Sequence, residues 1–317
     1  MKEKDLKIVL EQHQLWTGSD CKEGYRADLS GQDLRCANLA GANLRYASLG
    51  GANLSGANLT GADLSSAILR YASLTGANLT DAKLINANLI CANLTSAILN
   101  GTNLTNANLT DAILAFSDLR NANLTGAGLS SAILSNANLS NADLTGAKLI
   151  NTNLICANLT SAILNGANLT NANLSGANLG EANLYNANLS FVCLWFADLT
   201  GADLSRANLT HAYLYHANLY GANLTFTNLR FADLGGADLR YANLSFSKLT
   251  NLDLTNVNLS NANLDDANLT GAKMPEGFDN EQKSKGEVKK ESENEQSGPD
   301  MRNGLIKLKI NKKEQTK

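Results

Sequence analysis

The chain has 317 residues and a formal net charge of −3, with 5% aromatic residues and only two prolines. No apolar run approaches the roughly 18 residues that a membrane-spanning helix requires, and no basic stripe marks a nucleic-acid surface. Aromatic bulk this scarce does not fill an ordinary globular core, so some other device must. The five cysteines (Cys21, Cys36, Cys91, Cys156 and Cys193) are odd in number and scattered, without CxxC spacing. They read as reduced thiols of a cytoplasmic protein.

Residues 1–26 read as an N-terminal cap and linker. The opening MKEKDLKIVLEQHQLW has charges inside its short apolar stretch and is not expected to be a secretory signal. Over residues 4–16, Leu6, Val9, Leu10 and His13 share one helical face, with Trp16 beside it. Gly18 and Gly24 mark the link to the next segment. His13 is expected to cap that segment rather than to ligate anything.

From Leu29 to Leu269 a leucine stands at every fifth position, 49 in succession, and Met274 continues the series. Two residues before each leucine stands Ala, except at Gln32, Thr102, Ser117, Thr152, Val192, Thr227, Ser247, Leu252 and Val257. The unit is Ala-(Asn/Asp)-Leu-(Ser/Thr)-(Gly/Asn). On a helix, five residues turn about 500°, which would spread the leucines over every face. On a flat strand an odd period sends them to alternate sides. One interior for all of them requires a corner in each unit. Ala in, Asn out and Leu in is strand alternation, and the next two residues, rich in Gly, Asn, Ser and Asp, form the corner. The chain then coils on itself around stacked Leu and Ala. The many Asn-Leu-Ser/Thr triplets fit the glycosylation pattern only because the repeat places these residues side by side.

These units, such as ANLSGANLTGADL at 52–64 and its relatives across 27–274, resemble those of the pentapeptide repeat proteins. The opening LEQHQLW…GYRADLSGQDL and the closing GAKMPEG also resemble family ends. The resemblance implies an all-β fold, a right-handed quadrilateral β-helix with four units per coil. Residues 27–274 then make about twelve coils, or roughly 60 Å at the inter-strand spacing of about 4.8 Å. The expected division is a cap at 1–26, a repeat domain at 27–274 and a flexible charged tail at 275–317. In that tail, GLIKLKI at 304–310 reads either as a strand folded back on the last coil or as a docking peptide.

Residues 83–109 recur at 148–174 with 25 of 27 positions identical. The offset of 65 residues is thirteen units, which is not a multiple of four. On a four-unit coil the copy lies one face round from the original, so it reads as added length rather than as a second site.

The monotony breaks between 185 and 246, where eleven aromatics and His211 and His216 occupy outward positions. Trp195 and Tyr215, Phe196 and His216, and Cys193 and Tyr213 are each 20 residues apart. On a four-unit coil these six residues share one side of two adjacent coils and form a candidate partner-binding face. A packing ladder is the competing reading. Phe196, His211, Phe226 and Tyr241 are spaced by 15, which suits a three-unit coil equally well.

No nucleophile–base pair, phosphate loop or metal cluster stands out, so neither an enzyme nor a cofactor is expected. The favoured function is a rigid protein-interaction scaffold of bacterial type, with an unknown protein partner and no direct nucleic-acid binding; no oligomeric state follows from the residues. The resemblance implies one alternative, a DNA mimic that binds a type II topoisomerase (gyrase) to protect or inhibit it. Between 27 and 272 there are 15 Asp/Glu against 10 Lys/Arg, a net of −5. DNA of similar length carries roughly 35 negative charges.

Overall fold

The computed structural model describes residues 1–278. Each five-residue unit bends through its own hydrogen bonds. In the unit Ala57–Gly61, the N–H of the following Ala62 donates to the Leu59 carbonyl at 3.0 Å, and Gly61 takes φ +64°. The middle residue holds the same bend: Asn58 Oδ1 accepts the Thr60 N–H at 3.1 Å and the Thr60 hydroxyl at 2.7 Å. This is an Asx turn, and Asn78, Asn93, Asn103 and Asn168 repeat it. The Asn-Leu-Ser/Thr triplets are therefore the corner's hydrogen-bonding kit.

Successive turns of the chain are joined by parallel pairing of residue i with i+20, from Asp28 with Ser48 to Asp253 with Lys273. Leu29 N–H donates to the Ser48 carbonyl at 2.7 Å, and Ser48 N–H donates to the Ala27 carbonyl at 2.9 Å. Four units therefore complete one turn, and the three-unit arrangement is eliminated. Each pairing is a single-residue bridge; among the described residues no longer strand forms, because a corner interrupts the chain every five residues.

Leucines and alanines of the repeat line one continuous core, most with no exposed surface. Each buried leucine is worth roughly 1.5–3 kcal/mol. The alanine slot accepts a small hydroxyl when the hydroxyl finds a carbonyl. Thr102 and Thr152 donate to Leu79 and Leu129 of the preceding coil, at 2.7 and 2.9 Å. Ser117 and Ser247 donate to Leu114 and Leu244 of their own turn, at 2.7 and 2.6 Å. All four are buried without an unsatisfied hydroxyl.

The slot does not accept bulk without consequence. Leu252 occupies it one coil after Ala232. There the Leu252 N–H to Leu249 carbonyl distance stretches to 3.4 Å. The expected Asp233–Asp253 bridge is missing from the series among the described residues, and Ala232 rises to 9% exposure. Gly236 N–H reaches the Asn256 carbonyl at 3.1 Å in place of the usual i+19 partner. Asn256 alone, among second-corner residues from 31 to 271, leaves the left-handed region.

Helix α1, Glu3–Gly18, runs two residues past the expected 4–16 and takes in Gly18. It lies over the start of the coil, with Leu6, Val9 and Leu10 packed on the core. His13 is fully buried; its Nδ1 accepts the Ala27 N–H at 3.1 Å, and its ring stacks on Trp16 at 5.6 Å. Burial holds its imidazole below the ordinary value of 6.5, helped by the Arg26 charge and opposed by the Arg45 and Tyr25 backbone. The 304–310 segment lies outside the described residues.

Candidate functional site

The aromatic region gets its geometry from the corners. The second corner residue has left-handed φ, a conformation costly for any side chain other than glycine. Phe191, Phe196, His211, His216, Phe226, Phe231, Tyr241 and Phe246 nevertheless occupy it, with φ between 54° and 60°. Stacking across coils repeats the inter-coil spacing. Phe191, His211 and Phe231 form a three-ring ladder with successive centroids 4.8 Å apart and planes within 14°. Phe226 and Phe246 stack likewise at 4.8 Å. Arg206 lies over Phe226 at 5.2 Å, and Arg240 lies over Tyr220 at 5.5 Å. The aromatics thus encircle the coil corner by corner instead of lying on one side.

Two places depart from simple stacking: Tyr220 and Tyr241 meet tilted at 5.3 Å with planes 59° apart, and the other is the side and corner that hold the six residues singled out in the sequence. Cys193 and Tyr213 are bridged, and Cys193 is buried with its Sγ 3.1 Å from Ser175 Oγ. Trp195 is half-buried, and its indole Nε1 is buried without a hydrogen-bond partner. Phe196 stacks on His216 at 5.4 Å. Tyr215 meets His216 edge-on at 4.2 Å and Phe196 edge-on at 6.0 Å. The ring of Tyr215, one coil on from Trp195, thus joins Phe196 and His216 in a three-ring group. Phe196 and Tyr215 are 63% and 44% exposed.

Two glycines beneath the group make it possible. A Cβ on Gly236 would stand 2.5 Å from His216 Nδ1, and one on Gly235 would stand 3.2 Å from Tyr215 Cδ2. The bare corner lets both rings lean over the next coil. The Gly-Gly pair at 235–236 was the sequence signal for this, visible only once the 20-residue stacking is known.

Several carboxylates elsewhere on the coil are held by neighbouring cations. Arg35, Arg120 and Arg240 each grip the aspartate two residues earlier, Asp33, Asp118 and Asp238, through Nε and Nη2. The Arg35 guanidinium holds Asp33 at about 2, and its counterparts hold Asp118 and Asp238 below the ordinary value. Among the described residues no cluster of three or more His, Cys, Asp or Glu is placed to hold a metal ion, and no helix is long and apolar enough to cross a membrane.

The family description "Pentapeptide repeats (8 copies)" matches overlapping stretches that together run from residue 25 to residue 274. The chain belongs to the pentapeptide repeat family. Among solved members, it is 39% identical to HetL, a pentapeptide repeat protein involved in heterocyst differentiation regulation from the cyanobacterium Nostoc sp. strain PCC 7120. That match covers 71% of this chain and 90% of HetL, with a TM-score of 0.44. Rfr23 from the cyanobacterium Cyanothece 51142 is 38% identical over 34% of this chain and 60% of its own, with a TM-score of 0.19. QnrB1, a plasmid-mediated fluoroquinolone resistance protein, is 17% identical over 75% of this chain and 90% of its own, with a TM-score of 0.35. No curated protein matches the chain.

Proposed function

We propose that this pentapeptide repeat protein is a non-catalytic, cytoplasmic interaction rod. Its repeats form the right-handed quadrilateral β-helix of the family, and it meets a protein partner at the corner built from Cys193, Trp195, Phe196, Tyr213, Tyr215 and His216. The observation that supports this is the exposed Phe196–Tyr215–His216 group over the bare Gly235–Gly236 corner. Unlike the parallel ladders, it presents ring faces and edges at several angles, the geometry an interface anchor uses.

The scaffold reading is preferred to DNA mimicry on charge. A DNA-like surface needs dense negative charge, whereas the repeats between 27 and 272 carry 15 acidic against 10 basic residues, and Asp33, Asp118 and Asp238 are each paired with arginine. A pull-down from source lysate, followed by affinity measurement with the purified partner, tests the proposal. The Phe196→Ala/Tyr215→Ala variant should keep its circular dichroism and bind at least about tenfold more weakly, the loss expected of an interface anchor. Undiminished affinity would make this corner a packing ladder, and recovery of a topoisomerase bound elsewhere on the rod would restore the mimic.

A further inference from the structure

The rings at the corners differ in what the preceding coil lays over them. A second-corner side chain leans over the corner one coil on, as Asn106 does over Gly126 and His216 over Gly236. At Phe226 the preceding coil supplies Arg206, whose guanidinium lies over the ring at 5.2 Å. At Phe196 the same place falls to Gly176, with φ +65° and no side chain. Cys156 N–H donates to the Ser175 carbonyl at 3.0 Å and Gly176 N–H to the Trp195 carbonyl at 2.8 Å, so the three coils are in register. A Cβ on Gly176 would meet only Cys156 Sγ, at 3.4 Å, and the direction toward Phe196 is open. Phe196 stacks one face on His216, and among the described residues no ring or guanidinium covers the other. Cys156 and Phe196 stand two coils apart, roughly 10 Å at the inter-coil spacing of about 4.8 Å, which leaves room for one flat group between them.

Charge decides which flat group suits the gap. Residues 153–161, 173–181 and 193–201 form the two sides that meet at this corner on three successive coils. They include Glu181 and Asp198 and no lysine or arginine. Asp198 stands two residues after Phe196 on the adjoining side and is partly exposed. Its Oδ1 accepts the Thr200 N–H at 3.0 Å, the Thr200 hydroxyl at 2.6 Å and Asn218 Nδ2 at 3.2 Å, which leaves Oδ2 for a further donor. A guanidinium can stack on a ring and hydrogen-bond a carboxylate in its own plane at the same time. Arg240 does both within this chain, gripping Asp238 while lying over Tyr220 at 5.5 Å. An ammonium lacks the flat face, and a neutral ring leaves the acids unanswered.

We infer that the gap over Gly176 seats an arginine side chain of the protein partner, its guanidinium on the open face of Phe196 and its N–H groups turned to Asp198. This rests on the docking corner proposed above and names what enters it. The test is aromatic-ring NMR of the full chain, titrated with the capped peptides Ac-Gly-Arg-Gly-NH2, Ac-Gly-Lys-Gly-NH2 and Ac-Gly-Tyr-Gly-NH2. Phe196→Ala assigns the Phe196 signals. The apparent affinity read at Phe196 should be at least about threefold tighter for the arginine peptide than for either other peptide. Gly176→Asn fills the gap from within, using a residue that this corner already carries at Asn136 with φ +58°. It should keep its circular dichroism and weaken the arginine peptide at least about threefold. A Phe196 signal that ignores the arginine peptide, that answers the lysine or tyrosine peptide as tightly, or that responds undiminished in Gly176→Asn would overturn the assignment. If that happens while Phe196→Ala/Tyr215→Ala still loses the partner, the occupant alone is wrong. If the double variant keeps the partner, the docking corner fails and this inference with it.

Discussion

His13 shows how much one residue carries at the cap. It is an uncharged acceptor buried between α1 and the first coil, so its proton must sit on Nε2 while Nδ1 receives the Ala27 N–H. Protonating it removes that acceptor and buries a charge. Because burial lowers its pKa in the folded cap, the opened cap binds the proton more readily. Cap stability is therefore complete above the ordinary value of 6.5 and is lost as pH falls below it. Exchange of the α1 amides, corrected for intrinsic rate, should show opening increase by up to about tenfold between pH 7.5 and 5.5. His13→Asn keeps an acceptor near Nδ1 without titrating. It should flatten this dependence, and an unchanged slope in that variant would move the effect elsewhere.

At the scale of the corner, a left-handed backbone and a stacked ring oppose each other. Phe226 has φ +59° and stacks on Phe246 with planes 7° apart. Removing the ring and keeping a Cβ retains the strain and loses the stacking, whereas glycine loses both. Phe226→Ala should therefore be less stable than Phe226→Gly by about 1–2 kcal/mol, the cost of a left-handed L-residue. Phe226→Gly should fall below wild type by no more than about 0.5–1.5 kcal/mol, the worth of one ring pair beyond its burial. Equilibrium denaturation of the three proteins gives the order, and alanine at or above glycine would refute the argument. This conflict also explains what the sequence left open. The interior was legible because every Leu and Ala answers to one lumen, which fixes in and out at each position. The number of units per coil was not, because aromatics spaced by 15 and by 20 both occur and neither is constrained by the lumen. Nor was the ring group legible: Tyr215 turns to Phe196 and His216 because Gly235 and Gly236 leave room, a relation between coils that no local pattern contains.

On the scale of the whole rod, the 65-residue copy tests whether the coil is indifferent to length. Lys83 pairs with Asp63 and Asn103, while its copy Lys148 pairs with Gly128 and Asn168. Asn103 and Asn168 are themselves copies, so at this position the identical surfaces differ in the preceding neighbour alone, Asp63 against Gly128. The two differences between the copies, Ala87 against Thr152 and Thr102 against Ala167, all fall in buried alanine slots. Every surface residue has been kept while its setting changed, as expected if each unit needs only a coil above and below it. Deleting residues 84–148 joins Lys83 to Leu149 and preserves the five-residue register. The shortened chain should fold with unchanged circular dichroism per repeat and be about 16 Å shorter by small-angle scattering, three coils and a quarter at about 4.8 Å each. All of 185–246 rotates together by one face, so the Phe196–Tyr215–His216 group stays intact and partner affinity should be retained. A folded deletion that no longer binds would place function in the copied stretch, whereas a deletion that fails to fold would show that the coil depends on more than its nearest turns.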